Sequence, residues 1–280
     1  MLEPLDLDFL GLPRAIGVYL VDTTDGPALF DCGPMTTLPR LKEALRERGL
    51  ELEDIRHLLL SHIHFDHAGA AGAIVREHPS LRVWVSEVGA PHLVDPSRLE
   101  DSARRLYGDD FDRLWGELLP VPEENIETAA GDVLGWETFP APGHASHHVC
   151  YVRDGTLLAG DAAGVRILPS TYVLPVSPPP DIDVEAWHST IDQIRRRRPE
   201  RLALIHYGVV TDVDGHLDRL GSELDRWAEL VRTGVDADEF AAAAREGTGA
   251  EDELYAAVVP YEQSWQGLRR YWVKRSELTT

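Results

Sequence analysis

The run His57-Leu58-Leu59-Leu60 passes directly into Ser61-His62-Ile63-His64-Phe65-Asp66-His67. A short apolar run of this kind reads as a buried strand. The loop that leaves this strand carries three imidazoles and one carboxylate within six positions. With 12 histidines in 280 residues, that spacing arises by chance in roughly two of a thousand chains. Imidazole and carboxylate are donors that Zn²⁺ and similar ions accept, and a short loop can aim alternate side chains at one point. Four solvated loop residues are the plainer reading, and the density of the cluster argues against it.

Around this loop strands alternate with helices. Residues 15–21 and 27–30 read as strands joined by a turn at Thr23-Thr24-Asp25-Gly26. Leu38, Leu41 and Leu45 share a helix face, with Thr36 or Thr37 to cap it and Gly49 to end it. A helix of small residues is expected from about Ala68, a strand over 81–85 and helix over 98–119. Strands are expected again over 125–127, 137–140, 149–152 and 156–159. A proline-rich loop over 174–180, a helix over 184–198 and a strand over 202–205 follow. Beyond residue 213 the periodicity is wholly helical. Leu217, Leu220, Leu224, Trp227 and Val231 share one face, and Tyr261, Trp265, Leu268 and Trp272 another. The expected organisation is a domain over 1–212 and a helical extension over 213–280, docked through that aromatic stripe.

A loop with four donors implies partners elsewhere. Three later candidates sit at strand ends or in tight loops, where side chains of an α/β sheet point into a crevice. They are His144 in Pro142-Gly143-His144, Asp161 after the strand over 156–159, and His206 after the strand over 202–205. In this order the chain resembles the metallo-β-lactamase superfamily, whose signature H-x-H-x-D-H is followed by a histidine, a bridging aspartate and a final histidine. Asp31, in Phe30-Asp31-Cys32-Gly33, matches that family's first motif, and the matching span runs from about residue 15 to 208. The resemblance implies an α/β fold, the four-layer αββα sandwich, here with a C-terminal helical extension. It implies one divalent metal ion on His62, His64 and His144, a second on Asp66, His67 and His206, and Asp161 bridging them. Zinc is the first expectation, with iron or manganese as alternatives. Asp31 and His148 are expected to support the metal ligands from behind, and His147 to face solvent.

The bridging position narrows the branch. Aspartate there, rather than the cysteine of the antibiotic-degrading members, resembles the glyoxalase II, lactonase and ribonuclease branches. A net charge of −21 and a pI near 4.9 disfavour nucleic-acid phosphates and anionic membranes as partners, which leaves a small-molecule hydrolase. The expected reaction is attack of a metal-bridging hydroxide on a small ester, thioester or lactone. Asp66 is expected to act as ligand and as orienter of the nucleophile, with Tyr172 or Tyr207 touching the substrate carbonyl. The alternatives are a mono-iron oxidoreductase like the persulfide dioxygenases and a non-catalytic metal-binding protein. Arg270 and Lys274 read as exposed helix charges.

Compartment and assembly follow from composition. Two cysteines, Cys32 and Cys150, make no disulfide framework, and the acidic start Met1-Leu2-Glu3-Pro4-Leu5-Asp6 differs from a signal peptide, so a cytoplasmic location is expected. As alternatives to docking on the domain, the aromatic stripe of the C-terminal helices could form a homodimer contact or a lid over the pocket. Substrate identity rests in pocket walls expected over 88–119 and 165–180, which residue order does not disclose.

Overall fold

The computed structural model, which describes residues 2–278, alternates strands with helices through its first half, as the sequence pattern predicts. Strands β1 (Leu5–Asp6), β2 (Gly17–Thr23), β3 (Gly26–Phe30), β4 (His57–Leu59), β5 (Arg82–Val85) and β6 (Ile126–Thr128) lie side by side in that order. The first three are antiparallel, and β3 to β6 are parallel. The geometry follows from the connections. A two-residue turn closes the β2–β3 hairpin, whereas parallel neighbours need a crossover. Those crossovers are α1 (Leu38–Glu47), then α2 (Phe65–Ala68) with α3 (Ala71–Glu77), then α4 (Ala90–Val94), α5 (Ser97–Tyr107) and α6 (Phe111–Leu114).

A second ladder, β7 (Asp132–Val133), β8 (Trp136–Pro140) and β9 (Val149–Arg153), is antiparallel. It packs on the first sheet through β9. The Tyr151 hydroxyl donates to Leu60 O at 3.0 Å, and its ring meets Phe30 edge-on at 5.8 Å. All these strands belong to one compact unit, Met1–Pro140 with His147–Arg153.

The second unit is Ala141–Ser146 with Asp154–Thr280. Here β10 (Thr156–Leu158) runs parallel to β11 (Arg201–Leu204), which pairs antiparallel with β12 (Gly208–Val210). Helix α7 (Val184–Arg197) begins at Asp183, whose carboxylate accepts from Ala186 N–H at 2.9 Å. It ends on Arg195, Arg196 and Arg197, cations that complement the negative end of the helix dipole. Helix α8 (Val213–Arg232) buries Leu217, Leu220, Leu224, Trp227 and Val231, the face the periodicity predicts. Burying each such leucine contributes roughly 1.5–3 kcal/mol. A reciprocal cap between Asp236 and Glu239 opens α9 (Ala237–Arg245), and α10 (Asp252–Val258) and α11 (Tyr261–Leu278) complete the chain.

Some elements differ from the sequence expectation. The helix expected over 98–119 is broken at Gly108, φ 55, into α5 and α6, and ends at Leu114, after which Gly116 turns the chain at φ 74. Strand β12 lies past the last predicted strand; three residues are too few to reveal a period. In α11 the buried line is Tyr261, Leu268 and Tyr271, while Trp265 and Trp272 are half-buried. The two indoles donate to Val235 O and Ala228 O, at 3.0 and 2.8 Å, which draws them to the rim of the helix packing. Among the described residues no helix is long and apolar enough to cross a membrane.

Candidate metal centre

Each unit carries its own set of donors. In the first, parallel pairing brings the ends of β3 and β4 together: Phe30 is in register with Leu59, and Asp31 N–H donates to Leu59 O at 2.9 Å. Asp31 therefore emerges beside Ser61. It does so at φ 58, a left-handed conformation that aspartate visits more readily than most residues. Its Oδ1 accepts from Ser61 N–H at 2.7 Å; its Oδ2 accepts from the Ser61 hydroxyl at 2.8 Å and from His67 Nδ1 at 2.7 Å. Burial pushes the Asp31 carboxyl up from the usual aspartate value, opposed by the His67 imidazole and the Ser61 donors.

That network sets tautomers. With Nδ1–H bound to Asp31, His67 keeps its lone pair on Nε2, 3.7 Å from Asp66 Oδ2. Ser61 Oγ, already donating to Asp31, accepts from His62 Nδ1 at 2.9 Å, which puts the His62 lone pair on Nε2, 3.0 Å from His64 Nδ1. Helix α2 supplies the remaining placement: His64 stands at its N-cap and Asp66 in its first turn. Asp66 is 20% exposed, whereas His62 and His67 are fully buried.

His148 is buried and stacks on His62 at 4.8 Å. His147 is buried as well, 8% exposed, which corrects the expectation that it faces solvent. Its carbonyl accepts from the Ser86 hydroxyl at 2.7 Å, and its ring lies 5.9 Å from His62 and 5.5 Å from His64. Ser61, the hub of the whole network, is a residue the motif reading passed over. Its signal was its place between the strand and the first histidine.

In the second unit the donors come from three separate places. Gly143 stands at φ 137 with no room for a side chain: a Cβ would fall 2.3 Å from Trp187 Cβ and 2.4 Å from Trp187 Cα. Asp183 N–H donates to Gly143 O at 2.9 Å and the Thr190 hydroxyl to Pro142 O at 2.7 Å, so α7 and its cap hold the turn. His144 Nδ1 donates to Val176 O at 2.6 Å, leaving the lone pair on Nε2, 3.5 Å from Asp161 Oδ2. Asp161 lies in the short 3₁₀ turn Gly160–Ala163 that follows β10. Its other oxygen, Oδ1, is 3.7 Å from His206 Nε2, just beyond β11. All three residues are buried.

The separations indicate what such donors fit. Pairs at 3.5–3.7 Å are too long for hydrogen bonds. They lie close to the ~3.3 Å expected between two ligands of one tetrahedral ion with metal–donor bonds of about 2.0–2.1 Å. Asp161 turns a different oxygen toward each imidazole, the disposition of a carboxylate shared between two ions. Imidazole and carboxylate without thiolate suit a divalent cation, and within each unit the donors present fit one.

The two candidate tyrosines differ in setting. The Tyr172 hydroxyl donates to the Glu223 carboxylate of α8 and accepts from Arg226 at 3.1 Å, and burial with Glu223 pushes its ionisation up. Its ring fills the space a side chain on Gly247 would need. Tyr207 adjoins His206, is half-buried, and its N–H donates to Arg166 O at 3.2 Å. On α11, Arg270 is exposed, and the exposed Lys274 donates to Pro180 O at 3.1 Å.

The family model described as the metallo-β-lactamase superfamily matches residues 12–206. The metallo-β-lactamase fold-containing protein ST1585 of Sulfurisphaera tokodaii is 24% identical over 61% of this chain and 69% of its own. Its crystal structure superposes on 96% of this chain and 97% of that one, with a TM-score of 0.70 at 20% identity. The N-acyl homoserine lactonase AiiA of Bacillus thuringiensis is 26% identical over 50% of this chain and 57% of its own. A hydroxyacylglutathione hydrolase of Shewanella halifaxensis is 24% identical over 53% and 43%. The chain thus spans about half the length of these two named enzymes. A structure of TTHA1623 in a di-iron-bound form superposes with a TM-score of 0.55 at 24% identity, covering 73% of this chain and 91% of that one.

Proposed function

Because this chain belongs to the metallo-β-lactamase superfamily, with that family's α/β fold, we propose that it is a dinuclear metallo-hydrolase of small ester, thioester or lactone substrates. In this reading His62, His64 and His144 would hold one divalent ion and Asp66, His67 and His206 a second, with Asp161 shared between them. Asp161 carries the proposal: its two oxygens address His144 and His206 separately, at 3.5 and 3.7 Å. Two such ions, when bound, acidify water and polarise a carbonyl.

The residues of the chain do the rest. Asp31 and Val176 O fix the tautomers of His67 and His144, so each ring offers Nε2 without reorganising. Asp66, the donor more exposed than its buried neighbours, is placed to orient a nucleophile and take up its proton. Tyr207, beside a ligand, is the stronger of the two tyrosines for substrate contact, since the Tyr172 hydroxyl is engaged by Glu223 and Arg226. The lactonase and hydroxyacylglutathione hydrolase activities named for two relatives support the bond class, and zinc, iron and manganese all suit the donor set. An acidic surface fits a small-molecule substrate and opposes nucleic acid.

Purified protein reconstituted with zinc, iron or manganese and offered a panel of lactones, thioesters and esters tests this directly. Two equivalents of metal and turnover of at least one ester-like class are expected, with Asp66→Ala abolishing turnover. Fewer than two equivalents after reconstitution would overturn the dinuclear proposal.

A further inference from the structure

The turn that carries Asp161 is held from outside by two rings that no part of the proposed chemistry uses. Trp187, at the start of α7, donates its indole N–H to Ala162 O at 2.8 Å. His216, in the first turns of α8, donates Nε2–H to Ala163 O at 2.7 Å. Both side chains are completely buried. The carbonyls they bind belong to the two residues that follow Asp161, so both helices grip its peptide turn directly.

The helix also presses on the far side of the turn. A side chain on Gly164, at φ 69, would lie 2.7 Å from Leu220 Cδ1 of α8 and 2.7 Å from Leu174 O. Turn and helix leave no slack.

His216 is a costly choice for packing alone. Its Nδ1 is buried and has no hydrogen-bond partner among the described residues, a penalty that an apolar side chain of similar size would avoid. Burial depresses its basicity to about 4, with Arg166 and Arg219 adding to the effect and Asp212 opposing it, so at neutral pH the ring is uncharged. A carbonyl only accepts, so the proton sits on Nε2. What histidine offers there, and leucine or phenylalanine does not, is one directed N–H.

We propose that His216, assisted by Trp187, is a positioning residue for Asp161, fixing the turn so that the two carboxylate oxygens face different metal ions. The inference rests on the dinuclear reading above and adds to it the part of the helical layer that sets the bridge. The effect expected is that of lost outer support at a metal site, about 10- to 100-fold in metal affinity.

The test is a cobalt(II) titration of the full-length metal-free protein, read by absorbance of the bound ion and by elemental analysis, for the parent, His216→Leu and His216→Gln. The expected result is two equivalents in the parent and at least tenfold weaker binding of one equivalent, with an altered spectrum, in His216→Leu. Glutamine retains an N–H donor and should restore much of the loss. Unfolding midpoints of the metal-free proteins should show the leucine variant as stable as the parent at pH 7, so a merely structural role predicts the wrong readout. Should the leucine variant fail to fold, Trp187→Phe, which loses only the second N–H and some ring volume, carries the same comparison. A parent that binds two equivalents alongside a folded variant of unchanged affinity overturns this inference alone. A parent that binds fewer than two sinks the dinuclear centre and this inference with it.

Discussion

The two donor sets are built by opposite means. In the first unit His62, His64, Asp66 and His67 come from one loop and one short helix, and a single buried aspartate orients His67 directly and His62 through Ser61. In the second unit His144, Asp161 and His206 come from three places; the His144 ring is set by Val176 O, which accepts from it, and the Asp161 turn by the Trp187 and His216 rings, which donate to Ala162 O and Ala163 O. The first is encoded locally, and disturbing its keystone should harm folding and binding together. The second depends on helices packed around backbone turns, so its geometry can be loosened while the fold survives.

Asp31→Ala is the harshest way to break that contrast. It strands the Ser61 N–H, the Ser61 hydroxyl and His67 Nδ1 in a fully buried site, and loss of one partner from a buried charged network costs about 3–5 kcal/mol. Denaturant unfolding of the metal-free protein should show that loss; a change below 1 kcal/mol would mean that Asp31 is not the keystone.

Asp161→Ala attacks the other set. Turnover of any substrate found should fall on the order of 10²- to 10³-fold, with metal uptake reduced below two equivalents and stability changed much less than in Asp31→Ala. Equal destabilisation by the two variants would erase the distinction drawn here.

A gentler probe is pH. His216 has a folded-state pKa of about 4 against an ordinary value of about 6.5. Between those values the unfolded chain binds a proton that the folded chain does not, so stability falls as pH drops from 6.5 toward 4. This one group should remove about 2 kcal/mol by pH 5. Comparing denaturant midpoints at pH 7 and pH 5, His216→Leu should lose less than the parent by that amount. Parallel losses in the two proteins would place the acid sensitivity elsewhere.

The smallest effect is expected at the end of α7. Arg195, 38% exposed, pairs with Asp218, 67% exposed, at 2.5 Å, and ion pairs open to solvent contribute roughly 0–1 kcal/mol. Arg195→Ala should leave metal uptake untouched and shift thermal unfolding only slightly.

The same contrast governs what residue order disclosed. The contiguous donors and the strand before them were legible because strand, loop and ligand follow one another within about ten positions. His144, Asp161 and His206 were legible as strand-end residues and through family order. The supports of the second set were not. Trp187 and His216 bind carbonyls 25 and 53 residues away, and nothing in a tryptophan or histidine at a helix start names a distant backbone partner. His147 was misplaced for a related reason: the rings of His62 and His64 and the Ser86 hydroxyl that enclose it are brought there only by folding. The short strands β1, β7 and β12 are too brief to carry a period of two.

The glycine at position 143 has a longer reach than its size suggests. Since the clash it avoids involves the α-carbon of residue 187 as well as its β-carbon, no replacement at 187 can make room for a methyl group at 143. The turn by which the chain reaches His144 is therefore closed to any side chain at position 143, whatever changes in the loops around it.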